Sequence, residues 1–450
     1  MFGGRTNGLN LYRKTNQNEK ISYIDYTSLY PYVQKYKSFP IGHPEIITEN
    51  INYSNNFYFG LMKCKLIPPK KLYIPIIPTR INGKLMFPLC FKCASESNTN
   101  CTHTDNERAL EGEWCTLEIY EEINYGYKLN YIYEVWHWKE TTKLDKNTNI
   151  GGLFTEYINA ALKIKQEASG FADHVKTEEQ KDEYIEQYFK KEGIKLDKDK
   201  IKKNSGLRQI AKWMLNSLWG RLAMNSNKKQ IKTITDPNEW QQMLSNDAYI
   251  ISDIHCIEDN EIPVLNVSYK LNQEFDDGND SINVAIASFV TCHARLHLYS
   301  ELNRLQDRVL YFDTDSIIYI TRENDTYEPE TGVYLGEFTN ELDADEYITE
   351  FVCAGPKNYA YKTNKGHTEC TIKGFTLNYV TSLQITFESI REIVSNNQSN
   401  KIPVEQSKFR INPKQWTIET KHEIKNYAFV YDKRILLENL TTLPWGYIHE

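Results

Sequence analysis

Residues 308–320, ArgValLeuTyrPheAspThrAspSerIleIleTyrIle, constrain the fold of this 450-residue chain more than any other segment. Two apolar, strand-like runs flank the turn-prone AspThrAspSer, a pattern that predicts a hairpin with Asp313 and Asp315 at its tip. Residues two apart on a strand share a face, so both carboxylates can look into one space. Two neighbouring negative charges are unfavourable unless a cation lies between or beside them. A solvated turn capped by its own aspartates is the plain alternative.

A third carboxylate favours the cation. IleSerTyrIleAsp (21–25) brings Asp25 to the end of another strand, and the following TyrThrSerLeuTyrPro suits the start of a helix, with Ser28 and Pro31 in the turn. An acid at a strand end, joined by an acid pair on a neighbouring hairpin, suits two hard, oxygen-liganded ions such as Mg²⁺. Two such ions, about 3.5–4 Å apart, serve in-line phosphoryl displacement, and the expected reaction class is nucleotidyl transfer.

Between these acids lies a helical stretch with a cationic side. In GlyLeuArgGlnIleAlaLysTrpMetLeuAsnSerLeuTrpGlyArgLeu (206–222), Ile210, Met214, Leu218 and Leu222 are expected to form the buried face. Arg208, Lys212 and Asn216 recur every four residues on the opposite side, where the cations can bind a triphosphate and the amide can meet sugar or base. Gly220, unfavourable by about 1 kcal/mol in a helix interior relative to Ala, leaves room for close approach. An ordinary amphipathic surface helix is the alternative. A second helix, 152–170, carries Lys163 and Lys165 near its end; either can reach a phosphate, and lysines there also complement a helix C-terminus.

The rest of the chain reads as mixed. Strand-like runs occupy 22–26, 57–65 and 129–138, helical periodicity fills 152–224 as a projecting hairpin, and a mostly extended region (229–272) ends in an acidic loop at 274–281 before a helix at 282–305. After 375 short pieces alternate around a polar break at 395–400, which reads as a small separate subdomain. Lys+Arg number 53 against 60 Asp+Glu, a net charge of −7 that argues against nonspecific coating of nucleic acid but leaves the field inside a cleft open. No window approaches the roughly 18 apolar residues of a membrane span, and MetPheGlyGlyArg lacks a secretory h-region. An intracellular monomer away from membranes is expected, its compartment open. Nine cysteines suit reduced thiols better than a disulfide scaffold. Cys90, Cys93, Cys101 and His103 provide four ligands in 14 residues, enough for a tetrahedral structural Zn²⁺, with Cys115 as a spare.

Taken together, AspTyrThrSerLeuTyrPro (25–31), LysTrpMetLeuAsnSerLeuTrpGly (212–220) and TyrPheAspThrAspSer (311–316) resemble motifs A, B and C of family B DNA polymerases, in order and spacing. The intervals have room for the two insertions of the protein-primed branch found in phages, linear organellar plasmids and virus-like transposons. GlyProLysAsnTyr (355–359) resembles the KxY motif, IleLysGlyPhe (372–375) a later lysine segment, PheValThrCysHisAlaArg (289–295) the helix before motif C, and MetPheGlyGly (1–4) the YxGG linker, with Met1 where Tyr is usual.

The resemblance implies an α+β right-hand polymerase with an antiparallel-sheet palm, helical fingers and a small thumb. The corresponding boundaries are a linker remnant at 1–20, palm with an insertion at 21–150 (zinc loop 88–116), fingers at 151–224, palm with a second insertion at 225–374, and thumb at 375–450. It implies Asp25 and Asp315 as metal ligands with Asp313 beside them. Tyr30 would be the gate against ribonucleotides, with Lys165, Arg208 and Lys212 on the triphosphate and Asn216 and Gly220 along the nascent pair. Ser28, Lys357, Tyr359 and Lys373 would meet the primer strand. Trp219 replaces the usual Tyr of motif B, keeping an aromatic face without its hydroxyl. The implied activity is template-directed DNA synthesis from dNTPs with two Mg²⁺ ions, on primer–template DNA or a terminal-protein primer. With only 24 residues before Asp25, no 3′–5′ exonuclease is expected in this chain. A catalytically inactive DNA- or terminal-protein-binding remnant of a mobile element is the alternative, and reverse transcription is a third reading that RNA and DNA templates would separate.

Overall fold

The computed structural model describes residues 1–53, 56–225, 227–257, 264–275, 278, 280–396, 401–412 and 417–449. The acidic segment 274–281 and the polar break 395–400 lie partly outside the described residues. The described chain forms two compact units, one of Met1–Trp219, Ala285–Ile402 and Tyr427–Glu450, the other of Gly220–Val284 and Pro403–Asn426.

The first unit is built on a nine-stranded antiparallel sheet: β1 (Thr6–Gly8), β2 (Tyr12–Lys14), β3 (Glu19–Tyr26), β4 (Val309–Asp313), β5 (Ser316–Arg322), β6 (Phe338–Asn340), β7 (Ile348–Gly355), β8 (Asn358–Thr363) and β9 (Thr368–Ile372). The order is β1-β4-β5-β3-β7-β8-β9, with β6 also paired to β3 and β2 to β7. The predicted hairpin is β4–β5, joined through Asp313↔Ser316. Its strands read as unbroken apolar runs because both faces are covered: Val309 to Phe312 and Ile317 to Ile320 are all buried. β5 lies beside β3 in a register that sets Ser316 opposite Asp25, so the sequence-distant acids converge at one end of the sheet.

Five helices organise the unit: α1 (Leu29–Tyr36), α2 (Thr155–Glu167), α3 (Glu178–Glu192), α4 (Ser205–Leu222) and α5 (Val284–Leu305). Pro31 lies in the first turn of α1, where a missing N–H leaves no bond unmade. α3 starts on a capping box of Thr177 and Gln180 and stops at Gly193 with φ 69°. A buried ion pair, Lys35 to Glu192 at 3.1 Å, ties it to α1. α5 is buried over most of its circumference, as its apolar sequence requires. No described helix is long and apolar enough to cross a membrane.

An antiparallel sheet of Glu45–Ile47, Lys128–His137, Gly60–Ile67 and Leu110–Cys115, paired in that order, forms the insertion after β3. Its core is Met62, Cys64, Leu66, Leu110, Trp114 and Val135. The second unit has a three-stranded sheet, Gln230–Ile234, Val264–Leu271 and Tyr249–Ile257, with Ile234, Met243 and Val267 as its core.

The architecture corrects several expectations. Residues 1–20 are not a linker, because β1 and β2 are strands of the main sheet and β1 pairs with β4 along Thr6↔Asp313. The second insertion expected within 225–374 corresponds to 220–284, which forms the second unit together with 403–426, while 427–450 belongs to the first unit. The helical region 152–224 holds three helices where a hairpin was expected. The buried face of α4 also differs: Ala211 and Leu215 are its buried residues, whereas Ile210 is 51% exposed and Met214, Leu218 and Leu222 are only half-buried. At 100° per residue the apolar side chains of this helix, from Trp213 and Ile210 through Leu207, Met214, Leu218 and Ala211 to Leu222 and Leu215, cover an arc of roughly 200°, so periodicity leaves undetermined which stripe is packed.

Candidate active site

Asp25 is the penultimate residue of β3, flanked by Ser316 of β5 and Thr339 of β6. Asp315 occupies the β4–β5 turn, and its carbonyl accepts from the Tyr26 N–H at 2.8 Å. The turn is strained at Thr314, whose φ of 60° is rare for a β-branched residue. The Thr314 N–H donates to the Arg5 carbonyl at 2.8 Å, and Gly4 approaches so closely that a Cβ there would lie 2.9 Å from the Thr314 side chain. Arg295 of α5, buried against Glu118 at 2.7 Å, donates to the carbonyls of Phe2 and Gly3 at 2.8 and 2.9 Å. The MetPheGlyGly segment therefore braces the acid-bearing turn.

Asp25 and Asp315 open into one cavity of about 850 Å³. Its acidic side adds Glu341, just beyond β6, and its basic side is Lys165 of α2 with Arg208 and Lys212 of α4. Among the described residues no ion pair within 4.0 Å joins these faces, so the cavity holds separated sheets of opposite charge. Burial, then the charges of Asp315 and Glu341, raises Asp25 to about 8. Burial and Asp313 raise Asp315 to about 6. Burial, Arg208 and Lys212 lower Lys165 to about 8. Each face is thus electrostatically unsatisfied, the acids calling for cations and the lysines for an anion. Lys165 Nζ is 3.4 Å from Ser28 Oγ, and Arg208 Nε donates to Ser169 Oγ at 3.1 Å, which aims both cations into the cavity.

Tyr30 stacks on Trp219, with centroids 4.7 Å apart and planes at 21°, and Asn216 lines the cavity beside them. Gly220, one residue further on, lies outside the lining. Ser28 belongs to this cavity, next to Lys165 and away from the other three residues expected on the primer side. Asp313, expected on the same face as Asp315, does not line the cavity, but its charge reaches Asp315 and helps to raise it. Asp313 Oδ1 accepts from Thr6 Oγ1 at 2.7 Å, and its Oδ2 is 3.0 Å from Lys357 Nζ. The positive φ of Thr314 ends strand alternation between the two, so the two-residue rule stops at Asp313.

Lys357 lies in the β7–β8 turn with φ 59°, its N–H donating to Tyr311 Oη at 2.9 Å. Tyr359 is buried, its hydroxyl 3.1 Å from that of Tyr23, and the exposed Lys373 donates its N–H to the Lys357 carbonyl at 2.9 Å. Lys433, absent from the sequence reading, reaches the Thr6 carbonyl at 3.5 Å and adds a cation near Asp313. Glu341 was missed as well. It is set beside Asp25 only through β6 pairing with β3, a register that no local motif signals.

The second ligand group is elsewhere in the same unit. The donor atoms of Cys90, Cys93, Cys101 and His103 all lie within 4.8 Å of one another. His103 Nδ1 is 3.4, 3.2 and 3.9 Å from the three sulfurs, close to the roughly 3.5 Å edge between S and N donors of a zinc tetrahedron. Cys115 is not a spare ligand here; it groups with Glu118 and Cys292, because its strand ends at the start of helix Thr116–Ile123 against α5.

A family model described as DNA polymerase type B, organellar and viral, matches residues 1–181 and 174–306. A probable DNA polymerase of Neurospora intermedia is 25% identical over 352 residues, covering 75% of this chain and 28% of the relative. One of Podospora anserina is 24% identical over 425 residues, covering 87% and 29%. The chain therefore spans less than a third of the length of these two relatives. Among solved structures, Phi29 DNA polymerase complexed with primer-template DNA and incoming nucleotide substrates superposes with a TM-score of 0.56 at 14% identity, over 95% of this chain and 61% of that one. The same polymerase complexed with single-stranded DNA gives 0.53 at 16% identity, over 86% and 56%.

Proposed function

The chain belongs to the organellar and viral type B DNA polymerases, and from that premise we propose that it joins dNMP units to a primer 3′-hydroxyl opposite a DNA template, within a protein-primed replication system. One observation carries the reading: Asp25 and Asp315 share a cavity with Lys165, Arg208 and Lys212, acids and cations facing across about 850 Å³ without pairing. A triphosphate with divalent cations fits that charge pattern, the cations toward the carboxylates and the phosphates toward the basic helices.

The donor set suits Mg²⁺, being carboxylate oxygens whose protonation is favoured by burial and mutual repulsion when no cation is near. When bound there, two such ions supply activation of the primer oxygen and neutralisation of the leaving pyrophosphate. Lys165, Arg208 and Lys212 grip the triphosphate and hold its α-phosphorus in line. The Tyr30–Trp219 stack walls the sugar side, where a 2′-hydroxyl would collide with the Tyr30 ring. Asn216 is within reach of the nascent pair. Lys357, Lys373 and Tyr359, at the Asp313 end, hold the primer strand. A terminal protein serves as the first primer, and a structural Zn²⁺ at Cys90, Cys93, Cys101 and His103 folds the insertion.

The test is extension of a 5′-labelled primer on a DNA template with dNTPs and Mg²⁺, by the chain and by Asp315→Ala. Template-directed extension lost in the variant supports the reading. Wild-type chain that binds primer–template yet adds nothing with Mg²⁺ or Mn²⁺ overturns it in favour of a binding role.

A further inference from the structure

The cysteine group lies far from the carboxylates in sequence, yet a continuous set of contacts links them. Its surroundings are locally weak structure: helices Phe91–Glu96 and Asp105–Arg108 have 6 and 4 residues, too short to stand on their own propensity. The C-terminal segment 429–449 is weaker still, its regular structure being the two-residue strands Ile435–Leu436 and Thr442–Leu443. These two weak elements are built into each other. The N–H groups of Leu89 and Cys90 donate to the Trp445 carbonyl at 2.7 and 3.1 Å. Trp445 and Ile435 share one core with Cys90, Cys93 and Cys101. Gly446 packs so tightly on Cys90 that a Cβ would come within 2.2 Å of the Cys90 Cβ.

Arg108 completes the joint. Fully buried, it donates from one nitrogen to Cys101 Sγ at 2.9 Å and to the Gly446 carbonyl at 3.0 Å, and from another to the Pro69 carbonyl at 3.0 Å. A guanidinium aimed at sulfur suits a thiolate. Three thiolates and one imidazole around Zn²⁺ carry one net negative charge, which a buried arginine balances.

From this joint the segment runs back to the main sheet. The Thr442 N–H donates to the Leu9 carbonyl at 2.9 Å. Tyr431 donates to Asn7 Oδ1 and the Gly8 carbonyl at 2.9 and 2.6 Å, and Lys433 reaches the carbonyl of Thr6. The Thr6 hydroxyl in turn holds Asp313.

We infer that zinc at Cys90, Cys93, Cys101 and His103 staples the C-terminal segment 429–449 to the insertion, and so keeps Lys433 against β1 beside Asp313 as a cation for the primer strand. The inference rests on the zinc reading above and goes beyond it: the ion orders a segment more than 300 residues away in sequence, in addition to its own loop. Metal-binding free energy at such a site is folding free energy for whatever the site joins.

The experiment uses the whole chain. Zinc content is measured, and amide hydrogen exchange is compared between protein loaded with Zn²⁺ and protein stripped by a zinc chelator. The expected result is one zinc per chain and at least a tenfold faster exchange on stripping at Leu89, Cys90, Thr442 and Ile448, with α2 unchanged. Affinity for primer–template is expected to fall several-fold on stripping, and by a similar factor in Lys433→Ala that keeps its zinc and its protection. Gly446→Val attacks the joint from the other side: zinc retained, segment 435–448 unprotected, affinity lowered. Stoichiometric zinc whose removal leaves 435–448 protected overturns the staple while the zinc site stands. Chain that binds no zinc overturns both.

Discussion

The carboxylate cavity and the cysteine joint are both sets of convergent metal-type ligands in one compact unit, and they are built in opposite ways. Asp25 and Asp315 are hard donors facing an open cavity of about 850 Å³, with a basic wall across from them. Cys90 and Cys93 are soft donors with no exposure, closed in by Trp445, Ile435 and Met86. The first arrangement leaves its acids unsatisfied until a charged ligand arrives; the second sets its sulfurs in an apolar core, where Cys101 Sγ accepts from Arg108 and Cys90 Sγ from the Cys93 N–H, partners that would suit thiolates on the proposed resident ion. An open, like-charged group suits turnover, and a sealed soft group suits permanence. Donor type and enclosure, read together, separate a metal site that works from one that holds.

The largest expected effect tests that contrast directly. Asp315→Asn should slow primer extension by about a thousand-fold or more while leaving thermal stability intact or raised, since a repulsive neighbour of the Asp25 carboxylate is removed. Cys93→Ser should do the reverse, lowering the melting temperature by about 5 °C or more and slowing extension far less. Calorimetry and single-nucleotide extension on both proteins decide. Two variants that lose stability and activity in parallel would break the distinction.

Next comes the basic wall. Lys212→Ala should lower kcat/KM for the incoming dNTP by about a hundred-fold, mostly through KM, because a charge-assisted contact to phosphate is lost. An equal loss confined to kcat would move Lys212 from holding the triphosphate to acting on the transition state alone.

A smaller effect follows from Lys165, held at about 8 by burial and by Arg208 and Lys212. A lysine lowered in this way is charged below that pH and loses its charge as pH rises through it, so the phosphate contact proposed for it would be present at pH 7 and fade by pH 9. KM for dNTP should rise by up to about tenfold over that interval, and Lys165→Arg, whose charge persists, should flatten the rise. An unchanged slope in the arginine variant would assign the pH effect to another group.

What could be read from the sequence follows the range of the interactions involved. The β4–β5 hairpin, Asp25 at its strand end and the Arg208/Lys212/Asn216 face depend on residues within a few positions of each other, and periodicity exposes them. The cysteine group was legible because its ligands fall within 14 residues. Glu341, Lys433 and the strand role of residues 6–14 depend on cross-strand register or on the return of the C-terminal segment, and no local pattern encodes either. The burial of α4 failed for a different reason. Its apolar residues cover more than half of its circumference, and the decision among stripes belongs to the neighbours that pack on Ala211 and Leu215. The basic face was easier, since Arg208, Lys212 and Asn216 fall on one exposed stripe at four-residue spacing.

Gly220 gives the finest test of this boundary between helix and site. It lies inside α4, where glycine is about 1 kcal/mol less favourable than alanine, and outside its own helix no atom of the described residues lies within 4 Å of the position a Cβ would occupy. No described neighbour therefore requires glycine. If the space serves a bound nucleotide pair, Gly220→Ala should stabilise the protein by about 0.5–1 kcal/mol and raise KM for dNTP a few-fold, two changes of opposite benefit from one methyl group. Unfolding in denaturant and steady-state extension measure both. Stabilisation without any change in KM would remove Gly220 from the site and leave the cavity to end at Trp219, the last residue of the helix that lines it.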